Sequence, residues 1–175
     1  VLDQPYTTLA KPERLLDTRR GSDDVLDHNQ NYSAIGPIST LALQIAGRGT
    51  TPSGSATAVL NVTIAGAPAS GYLTVYPCDR AAPNASNLNF EAGDTVANAV
   101  FTRLDSSGRA CIFASSPVDV IVDAAGYFPT TSSFVPLSEP RRLLETRSGA
   151  TPTGDGVGNT GTRPVDGATT HVAIA

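Results

Sequence analysis

The sequence predicts an all-β fold, an antiparallel β-sandwich of jelly-roll-like type, on three observations. Apolar residues fall in short blocks, some alternating strictly with polar ones, as half-buried strands require. Sixteen Gly and 13 Pro are spread along the 175 residues, the punctuation of many short strands joined by turns. No crossover helix is visible between the blocks, which disfavours a parallel α/β sheet and makes antiparallel pairing the expectation.

In chain order, the first element is a short strand around Arg14, Asp17 and Arg19, crossing the edge of the sandwich. Seven further strands are expected at 38–46, 56–64, 72–77, 87–90, 96–104, 110–114 and 118–124. The second of these seven shows the period best, with Ala58, Leu60, Val62 and Ile64 on one face and Val59, Asn61 and Thr63 on the other. Gly66-Ala67-Pro68 ends it, and Pro83-Asn84 separates 72–77 from 87–90. Glu91-Ala92-Gly93-Asp94 follows 87–90, while Asp105-Ser106-Ser107-Gly108 and Ser115-Ser116-Pro117 read as hairpin turns on either side of 110–114.

A repeat organises the chain. Leu9-Ala10-Lys11-Pro12-Glu13-Arg14-Leu15-Leu16-Asp17-Thr18-Arg19 returns as Leu137-Ser138-Glu139-Pro140-Arg141-Arg142-Leu143-Leu144-Glu145-Thr146-Arg147. More faintly, Leu43-Gln44-Ile45-Ala46 returns as Val172-Ala173-Ile174-Ala175 after a Gly-rich loop. The expected organisation is one complete unit over 1–133 and the opening of a second copy over 134–175, joined at Thr130-Thr131-Ser132-Ser133.

Composition narrows the function classes. Forty per cent apolar and 16% charged residues suit a globular core under a neutral polar surface. A net charge of −4 and a single lysine, Lys11, argue against a nucleic-acid partner, whose phosphates need clustered cations. No run of about 20 apolar residues exists to span a membrane. Val1 opens without a signal-peptide pattern, as in a mature or excised segment. Cys78 and Cys111 have no metal-type spacing, which leaves a disulfide or two buried thiols.

One set of ordered blocks carries a family resemblance: Arg-Leu-Leu-Asp-Thr-Arg (14–19), Ala-Gly-Arg-Gly (46–49), Ala-Val-Leu-Asn-Val-Thr (58–63), Gly-Tyr-Leu-Thr-Val-Tyr-Pro-Cys (71–78), Ala-Ser-Asn-Leu-Asn-Phe (85–90), Thr-Val-Ala-Asn (95–98) and Ile-Val-Asp-Ala-Ala-Gly-Tyr-Phe (121–128). Together they resemble a β-sandwich repeat module of secreted bacterial surface proteins, found in tandem or C-terminal to other domains. The resemblance implies an extracellular accessory or architectural role, with Cys78 and Cys111 structural and no catalytic residues to carry over.

The candidate sites follow. Arg14, Asp17 and Arg19, echoed by Arg142, Glu145 and Arg147, are read as an ion-pair network that fixes a strand, since Arg forks satisfy carboxylates and carbonyls. Tyr72, Tyr76 and Tyr127 are the candidate glycan contacts, Tyr72 and Tyr76 sharing a strand face. Asn61, Asn87, Asn89 and Asn98 are read as backbone-bonding amides, and Asn31, Asn61 and Asn84 open glycosylation sequons. The acidic run Asp23-Asp24-Val25-Leu26-Asp27 lacks the ligand spacing of a calcium loop, so no metal or other cofactor is expected. Ser22, Asp23 and His28 are near in sequence but have no scaffold to make them a triad.

The expected function is a non-catalytic, extracellular structural repeat, such as an adhesin stalk, sheath, wall or filament subunit. Neighbouring repeats or identical subunits are the expected partners, with strand addition by the second copy. A carbohydrate-binding accessory module, with cell-surface polysaccharide as partner, is the alternative.

Overall fold

A computed structural model of the chain describes residues 5–22, 25–26, 34–138, 140–150, 153, 156, 158 and 160–172. They fall into two compact units, one of residues 1–82 with 86–139 and one of 83–85 with 140–175.

The first unit is an all-β sandwich of eight strands: β1 (Thr7–Asp17), β2 (Ser39–Gln44), β3 (Ser55–Ala65), β4 (Gly71–Pro77), β5 (Leu88–Phe90), β6 (Val96–Arg103), β7 (Arg109–Ala114) and β8 (Asp119–Pro129). One sheet has the order β1-β8-β3-β6 and the other β2-β7-β4-β5, every pair antiparallel. The pairs 1·8, 2·7, 3·6 and 4·5 are those of a ribbon doubled back on itself between β4 and β5, then rolled so that successive pairs fall in alternate sheets. That strand order is the jelly roll.

The core lies between the sheets, where the period-2 pattern puts it. β3 contributes Leu60, Val62 and Ile64, each fully buried, and they meet Leu73 and Val75 of β4 and Ile112 of β7. Burial of a Leu or Ile side chain is worth roughly 1.5–3 kcal/mol, and these side chains belong to one core cluster with Leu15, Leu16, Leu43, Val120 and Val122. On the other side of the first sheet, Val59, Asn61 and Thr63 of β3 face outward, and Asn61 is exposed.

Two expectations from sequence are corrected here. The short edge strand is the 11-residue β1, lying at a sheet edge and shifting register against β8 between Thr8 and Glu13 and again between Arg14 and Leu16. Pro12 sits in the first interruption, where a missing N–H costs no ladder bond. The segments 105–108 and 115–117 are not hairpin turns, because β7 pairs with neither β6 nor β8. They are arches that carry the chain from one sheet to the other. The first is built on Asp105, whose carboxylate accepts from the backbone N–H of Ser107 and Arg109 (2.8 and 2.9 Å) and from Arg109 Nε (3.1 Å).

Cys78, just past β4, is bonded to Cys111 in β7 with their Cα atoms 4.9 Å apart. The two strands are already neighbours, Tyr76 pairing with Cys111, so the bond closes a loop around β5 and β6.

In the second unit, Glu145 is the organising residue. Its backbone N–H donates to the Gly158 carbonyl and its own carbonyl accepts from the Thr160 N–H, both at 3.0 Å.

Candidate functional site

Asp17 closes β1 with a carboxylate removed from solvent. Arg19 folds back on it, Nη2 at 2.5 Å from Oδ2 and Nε at 2.9 Å from Oδ1, while the Arg19 backbone N–H donates to Oδ1 at 3.1 Å. Arg14 joins it to the neighbouring strand, lying 3.6 Å from Asp17 Oδ2 and donating from Nε to Asp123 Oδ1 at 2.9 Å. Burial alone raises the Asp17 pKa, but the hydrogen bonds from the Arg19 side chain and backbone and from the Ser22 hydroxyl outweigh it and hold the acid below its ordinary range. Thr18 continues the seam, its hydroxyl donating to Asp119 at 2.8 Å and accepting from the Val120 N–H at 2.9 Å.

The second unit contains the same clamp. Arg147 Nη2 is 2.7 Å and Nε 3.0 Å from the Glu145 carboxylate, the Arg147 backbone N–H donates to it at 2.9 Å, and Arg142 lies 3.1 Å away. The Arg147 side chain and backbone together lower the Glu145 pKa from 4.5 to about 2. Asp17 and Glu145 differ by a methylene, yet each takes one Arg two residues on and another three residues back. The main-chain partner differs. Asp17 pairs with Ile121 of β8, whereas Glu145 pairs with Gly158 and Thr160 of its own loop.

The outer face of the first sheet holds an aromatic cluster. Phe128 of β8 stands opposite Thr57, and Phe101 of β6 opposite Val59, so both point away from the core. Their ring centroids are 6.4 Å apart. Tyr6 packs on Phe128 at 5.3 Å and Phe134 stacks on it at 4.4 Å, with 26° between planes. Gly126 makes room for Tyr6, because a Cβ there would collide with the Tyr6 ring and the Thr7 carbonyl. The cluster is open to solvent: Tyr6 is 37% exposed, Phe134 42% and Phe101 58%. Val135 and Leu137, which follow Phe134 in the chain, are also exposed apolar side chains.

The three tyrosines proposed as glycan contacts are separated. Tyr72 is 41% exposed and rests on Phe113, ring centroids 5.7 Å apart. Tyr76, on the same face, is 5% exposed and shares a hydrogen bond of 3.3 Å with the Thr40 hydroxyl. Tyr127 pairs with the core residue Ala58 in the other sheet and so takes the inner side of β8. Asn87 and Asn98 bond backbone, Asn87 Oδ1 accepting from the Val75 N–H and Asn98 Nδ2 donating to the Asn87 carbonyl, each at 2.7 Å. Asn61 and Asn84 are exposed, and Asn31, the Asp23, Asp24 and Asp27 carboxylates and His28 lie outside the described residues. Among the described residues no three His, Cys, Asp or Glu side chains are grouped to hold a metal ion.

Sequence reasoning passed over the aromatic cluster and Arg48. Arg48, nearly buried, donates to the Leu15 and Gln44 carbonyls at 2.9 and 3.2 Å and to that of Leu26 at 3.3 Å, tying β1 to the end of β2. One signal for the cluster was present. Aligning the similar segments 9–19 and 137–147 places Phe134 at the position of Tyr6, so an aromatic residue precedes both by the same interval.

Searches of protein-family models, curated proteins and solved structures return no match to this chain.

Proposed function

We propose that the chain is a non-catalytic structural module of an extracellular surface protein, one sandwich repeat and the opening of another, working as part of a stalk, sheath, wall or filament. The observation that carries the reading is the clamp. Two segments with the same sequence pattern make the same set of arginine-to-carboxylate bonds, Arg14, Asp17 and Arg19 in one unit and Arg142, Glu145 and Arg147 in the other. A pattern that rebuilds its geometry supports reading the later segment as the start of a second unit of the same kind. The Cys78–Cys111 bond fits an oxidising compartment.

Neighbouring copies are the partners this reading supplies. Glu145 holds the position that Asp17 holds, and Asp17 is paired with β8 of its own unit. A β8-type strand from an adjacent copy would replace Gly158 and Thr160 beside Glu145, which is assembly by strand addition. Light scattering on the chain with and without residues 140–175 tests this. Loss of self-association in the shortened chain supports strand addition, and equal masses exclude it while leaving the tandem reading intact.

A second reading, a carbohydrate-binding accessory module, is favoured by the exposed Tyr72 ring resting on Phe113. Its test is a glycan array read with Tyr72→Ala. Binding that survives the substitution, or silence on every polysaccharide, removes it.

A further inference from the structure

The aromatic cluster contains both copies' opening residues, and its arrangement implies a joint. Phe128, the penultimate residue of β8, touches both Tyr6, which opens the first copy, and Phe134, which occupies the same place in the second. The arrangement follows from the roll: Thr7 pairs with Tyr127, so the chain enters and leaves the unit side by side. Phe134 shows how an opening ring meets the closing Phe six residues before it, nearly parallel at 4.4 Å. Tyr6 shows how an opening ring meets the closing Phe of its own unit, tilted by 42° at 5.3 Å. Both opening rings stay partly exposed while they touch Phe128, Tyr6 by 37% and Phe134 by 42%.

We infer that the exposed side of Tyr6 is a docking site for the closing Phe of a preceding copy of this repeat. Each opening ring then touches two closing rings, that of the copy before it and that of its own. A tandem array therefore carries an unbroken line of aromatic contacts, opening to closing to opening, through every junction. Offset and tilted aromatic pairs of this kind add to the apolar area they cover. The short Pro129–Ser133 segment leaves little slack between the rings, which favours the contact as a short tether does. This inference rests on the tandem-module reading, and the partner it names is a second copy of this chain's own repeat.

The test keeps the whole chain and inserts a further copy of residues 6–133 between Ser133 and Phe134. The inserted Tyr6 then follows a Phe128 by six residues, as Phe134 does. NMR relaxation should show both sandwiches tumbling as one body, with a correlation time about twice that of the single chain, as expected of rigidly linked rather than independent domains. Tyr6→Ala in the inserted copy should separate the two motions, and Tyr6→Phe should preserve the coupling. Because Tyr6 also packs on its own unit, a second variant leaves every ring in place and lengthens the junction by four Gly-Ser residues. It should uncouple the sandwiches without lowering the melting temperature of either. Independent tumbling in the unmodified junction, or coupling that survives both Tyr6→Ala and the longer junction, overturns the joint while the tandem reading stands. An inserted copy that forms neither strand signal nor a second disulfide overturns both.

Discussion

Asp17 concentrates the polar chemistry of the sandwich in one carboxylate. It is fully buried at the side chain and accepts from Arg19 through three N–H groups. Asp17→Asn keeps the shape and removes the charge, leaving Arg14 and Arg19 partly without an anion. Hydrogen bonds to charged groups are worth about 1.5–3 kcal/mol, and the half-exposed Arg19 reduces that by solvent screening, so a loss of about 2 kcal/mol is expected in urea unfolding. The pH dependence has a definite sign. Asp17, Asp105 and Glu145 all have folded pKa values below their ordinary ones. Their contribution is complete above the unfolded values, near pH 4, and is lost as pH falls through the folded ones. The melting temperature should be flat from about pH 5 upward and fall steadily below 4. Carboxylate NMR should place the Glu145 midpoint near 2 rather than 4.5. A midpoint near 4.5 would mean that the second clamp does not form in solution.

Strand β8 does the most work among the elements, since it lies between β1 and β3 and its bulge decides where Tyr6 sits. Val59 pairs with Gly126 and Leu60 with Ala124, leaving Ala125 as the extra residue. The bulge turns Gly126 outward beneath the Tyr6 ring. Gly126→Val should dislodge Tyr6 and free the start of β1, read as faster amide exchange at Thr7 and Thr8 with Asp17 still protected. Equal exchange in both proteins would show that Tyr6 does not hold β1. Much of this element order was legible beforehand. The period of two gave β3 within a residue at each end, and turn residues bounded β4 to β7 nearly as well. β1 was legible only as a short piece, because Pro12 and two register shifts erase the alternation that marks a strand. The arches looked like hairpins because turn chemistry is local, while the choice of sheet depends on partners elsewhere in the chain. The aromatic cluster was hidden for the same reason. Tyr6 and Phe128 are remote in sequence and meet only through the pairing of the first strand with the last. The clamp, by contrast, is local, and the repeat exposed it.

At the scale of the whole molecule, the disulfide and the β1–β8 seam divide the labour of holding the fold closed. Cys78–Cys111 closes a loop with a separation of 33 residues, which in the chain-entropy account stabilises by roughly 3–4 kcal/mol. Replacing both cysteines by serine should lower unfolding stability by about that amount, measured by chemical denaturation. No change would mean that the unfolded chain is already compact across that loop. The seam behaves differently under mechanical load. Thr7 lies against Tyr127 and Asp17 against Ile121, so a pull on the two ends of the sandwich peels β1 from β8 one pair at a time instead of shearing all pairs together. Unzipping needs far less force than shearing, and the first contact to part is the Tyr6–Phe128 pair. The module is thus built to yield early and then stop, because the disulfide keeps its loop from extending. At ~3.5 Å per residue, the stretch from Thr7 to Pro129 should release about 300 Å when oxidised and about 430 Å when reduced. Single-molecule stretching can read both lengths. A protein made of such units would act as a low-force extensible spring with a redox-set limit to its travel.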